Sequence, residues 1–308
     1  METKRVQWLD IAKGITILLM VLGHTSIPMK FSNFIFSFHM PLFFIASGWC
    51  SNWTKKSFGR YILAKTHSLL VPFWVYSFIV LLIAHFSLGN NNEITFANLI
   101  TKGWLGYPLW FVPVLFFALL IAKAIFFYVK RKLVGYSIFC ALAVIGALLS
   151  YNRIYLPWAV STIPYATVLI GLGYSLKKYG SSFEHAKWWF FVICLAITII
   201  ISQIWRMDMA WNSITPLVPK TIGAVSGTVM IFVLSVFIEK KSVWISKVLQ
   251  LIGKETYVIM ALALILCYAI DAIFPCNKII EYVIVFLCLV WFALLKNMIN
   301  KLIGHKIL

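Results

Sequence analysis

Three ionisable residues share the first apolar stretch of the chain: Asp10, Lys13 and His24. At 3.6 residues per helical turn, the eleven-residue step from Lys13 to His24 makes about three full turns, and Asp10 stands one turn before Lys13. All three therefore lie on one stripe, with Lys13 roughly 16 Å from His24 along the axis. The run from Ile11 to Pro28 is long and apolar enough to cross a bilayer, so its charges carry a desolvation cost that needs a reason. Imidazole, with an unperturbed pKa of about 6.5, is the side chain suited to taking a proton from a weak nucleophile near neutrality. The competing reading of His24 is a structural hydrogen bond inside the bundle. Asp10 and Lys13 can neutralise each other near an interface, or the lysine can attract an anion. A second histidine, His39, enters the next apolar stretch after a short connector. The two stretches are expected to pack as an antiparallel hairpin, which brings both imidazoles to a similar depth and into one cavity; helix packing alone is the alternative role for His39. Further along that helix Pro41 loosens the backbone, and Ser47 and Gly48 are expected to leave room for a long thin ligand at the opposite end.

The elements that position these residues follow from composition. The chain is 62% hydrophobic and only 12% charged, which excludes a soluble domain. Apolar stretches near 8–28, 33–51, 69–88, 107–128, 133–150, 155–176, 188–206, 216–238, 257–275 and 279–297 predict an all-α, polytopic integral membrane protein of about ten transmembrane helices. The formal charge of +18 sits in short connectors rather than on one amphipathic surface, so it reports membrane orientation and not a nucleic-acid partner. Lys4 and Arg5, Lys55 to Lys65, Lys130 to Lys132, Lys177 to Lys187, Lys240 to Lys254, and Lys301 with Lys306 fall on one side. The opposite connectors hold isolated cations such as Lys30, Arg153 and Arg206. This asymmetry predicts that both termini are cytoplasmic, in agreement with an even number of spans. Asp10 and Lys13 then lie near the cytoplasmic mouth, and His24 in the outer half of the first helix. Trp8, Trp104, Trp110, Trp158, Trp188, Trp211 and Trp244 fall near span ends, where interfacial anchoring is expected. The six cysteines are scattered singly without metal-binding spacing, so neither a disulfide framework nor a metal site is expected. The first stretch superficially resembles a signal peptide, but Asp10 and Lys13 interrupt it and no cleavage site follows; it is expected to stay attached as the first span. No linker or repeat divides the chain, so residues 1–308 are expected to form a single integral membrane domain.

Several segments together carry a resemblance. They are Trp8-Leu9-Asp10-Ile11-Ala12-Lys13-Gly14 leading to Gly23-His24, and Phe36-Ser37-Phe38-His39-Met40-Pro41-Leu42-Phe43-Phe44 running to Ser47-Gly48. To these are added Leu69-Leu70-Val71-Pro72-Phe73, Trp110-Phe111 and Leu251-Ile252-Gly253-Lys254. In this pattern the chain resembles, over nearly its whole length, the membrane-bound acyltransferase-3 family, particularly its shorter fucose-4-O-acetylase and exopolysaccharide O-acetyltransferase members. The resemblance implies an O-acyltransferase of a bacterial cytoplasmic (inner) membrane. Its donor would be cytoplasmic acetyl-CoA, and its acceptor a sugar hydroxyl of a cell-surface glycan or of a lipid-linked precursor. Two departures stand out. Lys65-Thr66-His67-Ser68 replaces an Arg-x-x-Arg element, so that Lys55, Lys56 and Arg60 are expected to substitute, and Ala263 occupies a position where relatives often carry histidine.

The residue types suit that chemistry. An alcohol needs a base to take its proton as it attacks a thioester, and His24 is the expected base; an acyl-histidine intermediate is the other possibility the residue type allows. His39 and Asp10 complete the expected catalytic set, with His39 orienting His24 or donating a hydrogen bond to the developing oxyanion. Lys13, Arg60, Lys65, Ser47 and Gly48 are expected at the donor, through phosphate contacts and space for the pantetheine arm. Trp110 and Tyr165 are expected to stack on a sugar ring, and Asp271 to hold acceptor hydroxyls. Interfacial anchoring and simple solvation are the competing readings of these three. Asp208, Arg153 and Arg206 share that ambiguity. A transporter or flippase for a glycan or lipid-linked intermediate would also carry intramembrane charges, but its broken, repeat-related helices are not visible in this sequence.

Overall fold

The computed structural model describes residues 6–303 apart from 25–26, 56, 89–93, 105–106, 181–182, 184 and 274–277. Lys4, Arg5, Lys56, Cys276 and Lys306 lie outside the described residues. A segment in hydrocarbon must satisfy its own backbone N–H and C=O groups, which leaves a helix as the solution for each apolar stretch. Each of the ten expected stretches contains a helix: α1 (Gln7–Gly23), α2 (Met29–Cys50), α3 (Phe58–Lys65) continued by α4 (Val71–Leu88), α6 (Phe111–Tyr128), α7 (Lys132–Tyr151), α8 (Ile163–Leu176), α9 (Trp188–Ile204), α10 (Leu217–Lys241), α12 (Thr256–Ile273) and α13 (Lys278–Ile303). Eight helical segments are long and apolar enough to cross a membrane, while α1 and α9 have 17 residues each. Among the described residues no strand forms beyond an isolated bridge between Asp208 and Ser213.

Three features depart from the sequence pattern. The third stretch begins earlier than expected, because α3 runs through a π-helical turn, Thr66–Leu70, into α4. Two shorter helices were not visible as spans: α5 (Phe96–Lys102) and α11 (Val243–Lys254). α11 exposes Val243, Trp244 and Leu251 while Gly253 is buried, the pattern of a helix lying in the interface plane.

α1 packs on α11, α10, α2 and α12, and α2 packs on α8, α10 and α9, so the two histidine-bearing helices run through the middle of the bundle. α7 and α13 lie on its outside and are mostly exposed to the surroundings. Without a hydrophobic drive between helices in lipid, close backbone approach at small residues supplies the association. Gly48 of α2 faces the Ile170 carbonyl of α8, and Gly173 of α8 faces the Ile45 carbonyl of α2; a Cβ at either would collide with backbone. Gly14 and Gly253 make the matching contact between α1 and α11. Gly48→Ala is therefore expected to cost about 1–3 kcal/mol of stability through overpacking. It should lower the unfolding midpoint of the detergent-solubilised protein, whereas Gly59→Ala, which meets nothing within 4 Å, should leave it unchanged.

The tryptophans divide in a way that sequence position does not reveal. Trp188 and Trp244 are 70% and 75% exposed, as interfacial anchors should be. Trp8, Trp104 and Trp110 are instead buried within the protein. Trp8 packs edge-on against Trp49 and Phe232, and the Trp104 indole donates to Ser77 Oγ at 2.8 Å. An indole with an internal partner gains nothing further from the interface.

Candidate active site

The final turn of α1 presents His24, whose Nδ1 lies 2.8 Å from the Met20 carbonyl four residues earlier. A carbonyl only accepts, so Nδ1 carries the proton and Nε2 holds the lone pair when the ring is neutral. His39, buried in α2, makes the same contact with the Ile35 carbonyl at 2.9 Å. The hairpin of α1 and α2 sets the two rings 6.2 Å apart between centroids and nearly perpendicular. Phe36 packs against both, 5.4 Å from His24 and 4.9 Å from His39. Both imidazoles are thus oriented as bases by a helix carbonyl. With its Nδ1 proton engaged, a neutral His39 ring presents only an acceptor at Nε2, as His24 does, so the two rings meet by packing and not by a hydrogen bond to each other.

These rings line a cavity of about 180 Å³ together with Trp110, Arg206, Asp208 and Trp211. Trp110 arrives on a short 3-10 turn, Pro108–Trp110, that leads into α6. Arg206, Asp208 and Trp211 arrive on the connector between α9 and α10. That connector is held by the Asp208–Ser213 bridge, by the Ala210 N–H donating to Asp208 Oδ1 at 3.0 Å, and by Lys220 donating to the Ser213 carbonyl at 3.0 Å. The Arg206 guanidinium stands 5.4 Å from the Phe36 ring centroid, a cation–π contact on the wall shared with the histidines. Burial pushes the Asp208 carboxyl above the ordinary carboxylate range, opposed by the Ala210 N–H and by the Arg206 charge. A rigid aromatic wall beside a guanidinium, a carboxylate and two oriented imidazoles can hold a polyhydroxylated ring and take a proton from one of its hydroxyls.

The cavity follows the α1 stripe inward from His24 through Met20 to Ile17, one turn short of Lys13. Asp10 and Lys13 lie beyond that floor as an ion pair, Nζ to Oδ1 2.7 Å, with Asp10 buried and the Lys13 side chain 25% exposed. Asp10 is roughly 21 Å from His24 along the helix; it pairs with Lys13 and lines no part of the histidine cavity. The Gly253-Lys254 element at the end of α11 packs on α1 at this level, where Gly253 meets the Asp10 carbonyl. Arg60 is exposed on α3, and the Lys65 ammonium sits 5.6 Å over the Tyr61 ring at the start of the π turn. The room left by the missing side chain of Gly48 is filled by the Ile170 backbone, and Ser47 is partly buried beside it.

Two further expected residues stand apart from the cavity. Tyr165 is fully buried, with its hydroxyl 3.0 Å from Thr221 Oγ1, and Asp271 is exposed near the end of α12. Neither lines the cavity. Conversely, Arg206 and Asp208, whose roles the sequence leaves open, and Trp211, read there as an anchor, all reach it. One buried charge is absent from the sequence reading altogether. Lys123 of α6 is fully buried, donates to the Trp53 carbonyl and lies 4.4 Å from the Phe127 centroid. Its signal was plain, a single lysine within an apolar span. It ties α6 to the connector after α2.

A family model described as an acyltransferase domain matches residues 6–298. One relative, nodulation protein NolL of Sinorhizobium fredii (strain NBRC 101917 / NGR234), is 25% identical over 224 residues, covering 67% of this chain. The match spans 59% of the length of that relative. No solved structure matches the chain. A family match over nearly the whole chain, carried by an all-helical membrane fold, places this protein in the acyltransferase-3 family.

Proposed function

We propose that the protein is a membrane O-acyltransferase that moves an acetyl group from cytoplasmic acetyl-CoA to a sugar hydroxyl of a cell-surface glycan, an exopolysaccharide or a lipid-linked precursor. Family membership supports acyl transfer. The observation that carries the rest is the pair of carbonyl-oriented imidazoles facing Trp110, Trp211, Arg206 and Asp208 across one cavity. In this reading the acceptor ring stacks on the indoles while Asp208 and Arg206 fix its hydroxyls. His24 Nε2 takes the proton of the attacking hydroxyl as its oxygen bonds to the thioester carbonyl. The tetrahedral adduct then expels the CoA thiolate, which receives the proton from His24. Arg206 is the cation on that wall able to offset the developing negative charge. The basic end of the bundle, with Lys13, Arg60 and Lys65, faces the cytoplasm and holds the CoA phosphates.

Asp208 gives this reading a pH signature. Because burial raises its pKa, Asp208 loses its charge at a higher pH than a solvated aspartate as the medium is acidified. The acceptor KM is expected to rise as the pH falls through that value, and Asp208→Asn should show a raised KM with a flattened acid limb. A wild-type acid limb retained in the variant would remove Asp208 from acceptor binding. The proposed activity itself is tested by mass spectrometry of surface glycans from cells with and without the protein. Loss of acetyl groups from one glycan on deletion is the expected result; unchanged acylation of every surface glycan would refute the reading.

A further inference from the structure

A second cavity, of about 670 Å³, opens between α6, α7 and α8 at the basic end of the bundle and shares no lining residue with the histidine cavity. Its walls are apolar, with Phe126, Phe139 and Leu172 prominent, and Lys177 and Lys178 stand at its rim. Gly171 allows the Phe139 ring to lie against the α8 backbone, where a Cβ would come within 2.7 Å of the ring. The outer wall is α7, which faces hydrocarbon: Leu133 is 77% exposed and Leu148 55%. From Lys178 to Val168, the deepest α8 residue of the lining, is ten residues or about 15 Å, half of a hydrocarbon core of about 30 Å. The groove is one leaflet deep.

We propose that this groove binds an anionic phospholipid of the leaflet on the basic side, with its phosphate at Lys177 and Lys178 and one acyl chain along Phe126, Phe139 and Leu172. Charge selects the headgroup. Lys130, Arg131 and Lys132 join α6 to α7 at the same end and add to the positive rim, so a zwitterionic choline headgroup would bring a cation against cations. The Lys178 ammonium is 4.7 Å from the Tyr179 ring centroid and holds its charge at the rim. Apolarity and depth select a lipid over a soluble phosphate, because the wall below the lysines offers an acyl chain its natural surroundings. The consequence is structural support: α8 is locked backbone to backbone onto α2, which carries His39, so an occupant bridging α7 and α8 steadies the helix that positions the site.

Cys140 lies on the groove wall as an exposed free thiol, and Cys50, also exposed, lies on α2 outside it. The full-length protein in neutral detergent is treated with N-ethylmaleimide, and the alkylation rate of each cysteine is read by peptide mass spectrometry. Phosphatidylglycerol is expected to slow Cys140 at least fivefold and to change Cys50 less than twofold. Phosphatidylcholine and glycerol phosphate should each change Cys140 less than twofold. K177Q/K178Q should abolish the protection, whereas K240Q/K241Q, which removes two basic-end charges from α10, should retain it. Absence of protection by phosphatidylglycerol, or equal protection by phosphatidylcholine, overturns the proposal. Protection by glycerol phosphate alone overturns it in favour of a soluble anion. Should K177Q/K178Q not fold, the wild-type arms decide the outcome by themselves. None of these readouts depends on acyl transfer.

Discussion

His24→Ala is expected to reduce acyl transfer by about 10²–10⁴-fold, the range general-base catalysis contributes, while the amount of protein inserted in the membrane stays near normal. His24 is exposed at the end of α1, so removing its ring opens no cavity in the core. His39→Ala should give a smaller loss in kcat, because His39 supports the His24 ring by packing while the Met20 carbonyl sets its orientation. Equal losses would mean that the two imidazoles work as one unit. Near-normal glycan acylation by a well-expressed His24→Ala protein would remove His24 as either base or acyl carrier. The buried His39 also fills space between Phe36 and α1, so its variant is to be compared at equal folded protein.

The second large effect concerns the basic end. Lys13→Ala leaves Asp10 buried without the cation 2.7 Å away, near the expected path of a polyanion. A lost charge-assisted contact of about 1.5–3 kcal/mol corresponds to a rise of roughly tenfold to a hundredfold in the acetyl-CoA concentration needed for half-maximal rate. Lys13→Arg should preserve much of the activity, although a planar fork differs from a point charge. Asp10→Asn combined with Lys13→Ala separates two causes. Recovery in the double variant assigns the defect to the Asp10 charge that Lys13 offsets; persistence assigns Lys13 to the donor. The four proteins are compared by acetyl-CoA concentration dependence in equivalent membranes. Unchanged dependence in Lys13→Ala would return the pair to a purely structural role.

How far the sequence reaches is clearest along α1. Spacing alone puts Asp10, Lys13 and His24 on one stripe, and Ile17 and Met20 of that stripe line the cavity leading toward Lys13. The short connector likewise predicts the approach of His24 and His39, since it holds the two helices side by side as an antiparallel pair whatever else each packs on. What periodicity cannot give is which distant connector folds over the end of a helix. Arg206 and Asp208 reach the cavity because the segment after α9 turns back on the Asp208–Ser213 bridge, a contact with no period to announce it. Periodicity is equally silent on which neighbour meets Tyr165, whose hydroxyl lies against Thr221 across a helix interface, and Gly48, which meets the α8 backbone. Small residues in a membrane helix signal close packing and ligand access alike, and only the neighbour distinguishes them.

In the proposed activity a thioester is broken and its acyl group captured by a glycan at the His24 end of the bundle. Purified protein in neutral detergent or nanodiscs, given acetyl-CoA labelled in the acetyl group and the isolated surface glycan, tests it most directly. Free CoA thiol is expected to be released in step with label appearing as an ester on the glycan, both lost in His24→Ala. An intact thioester, with the glycan or its lipid-linked precursor merely moved across the membrane, would contradict it and identify a transporter.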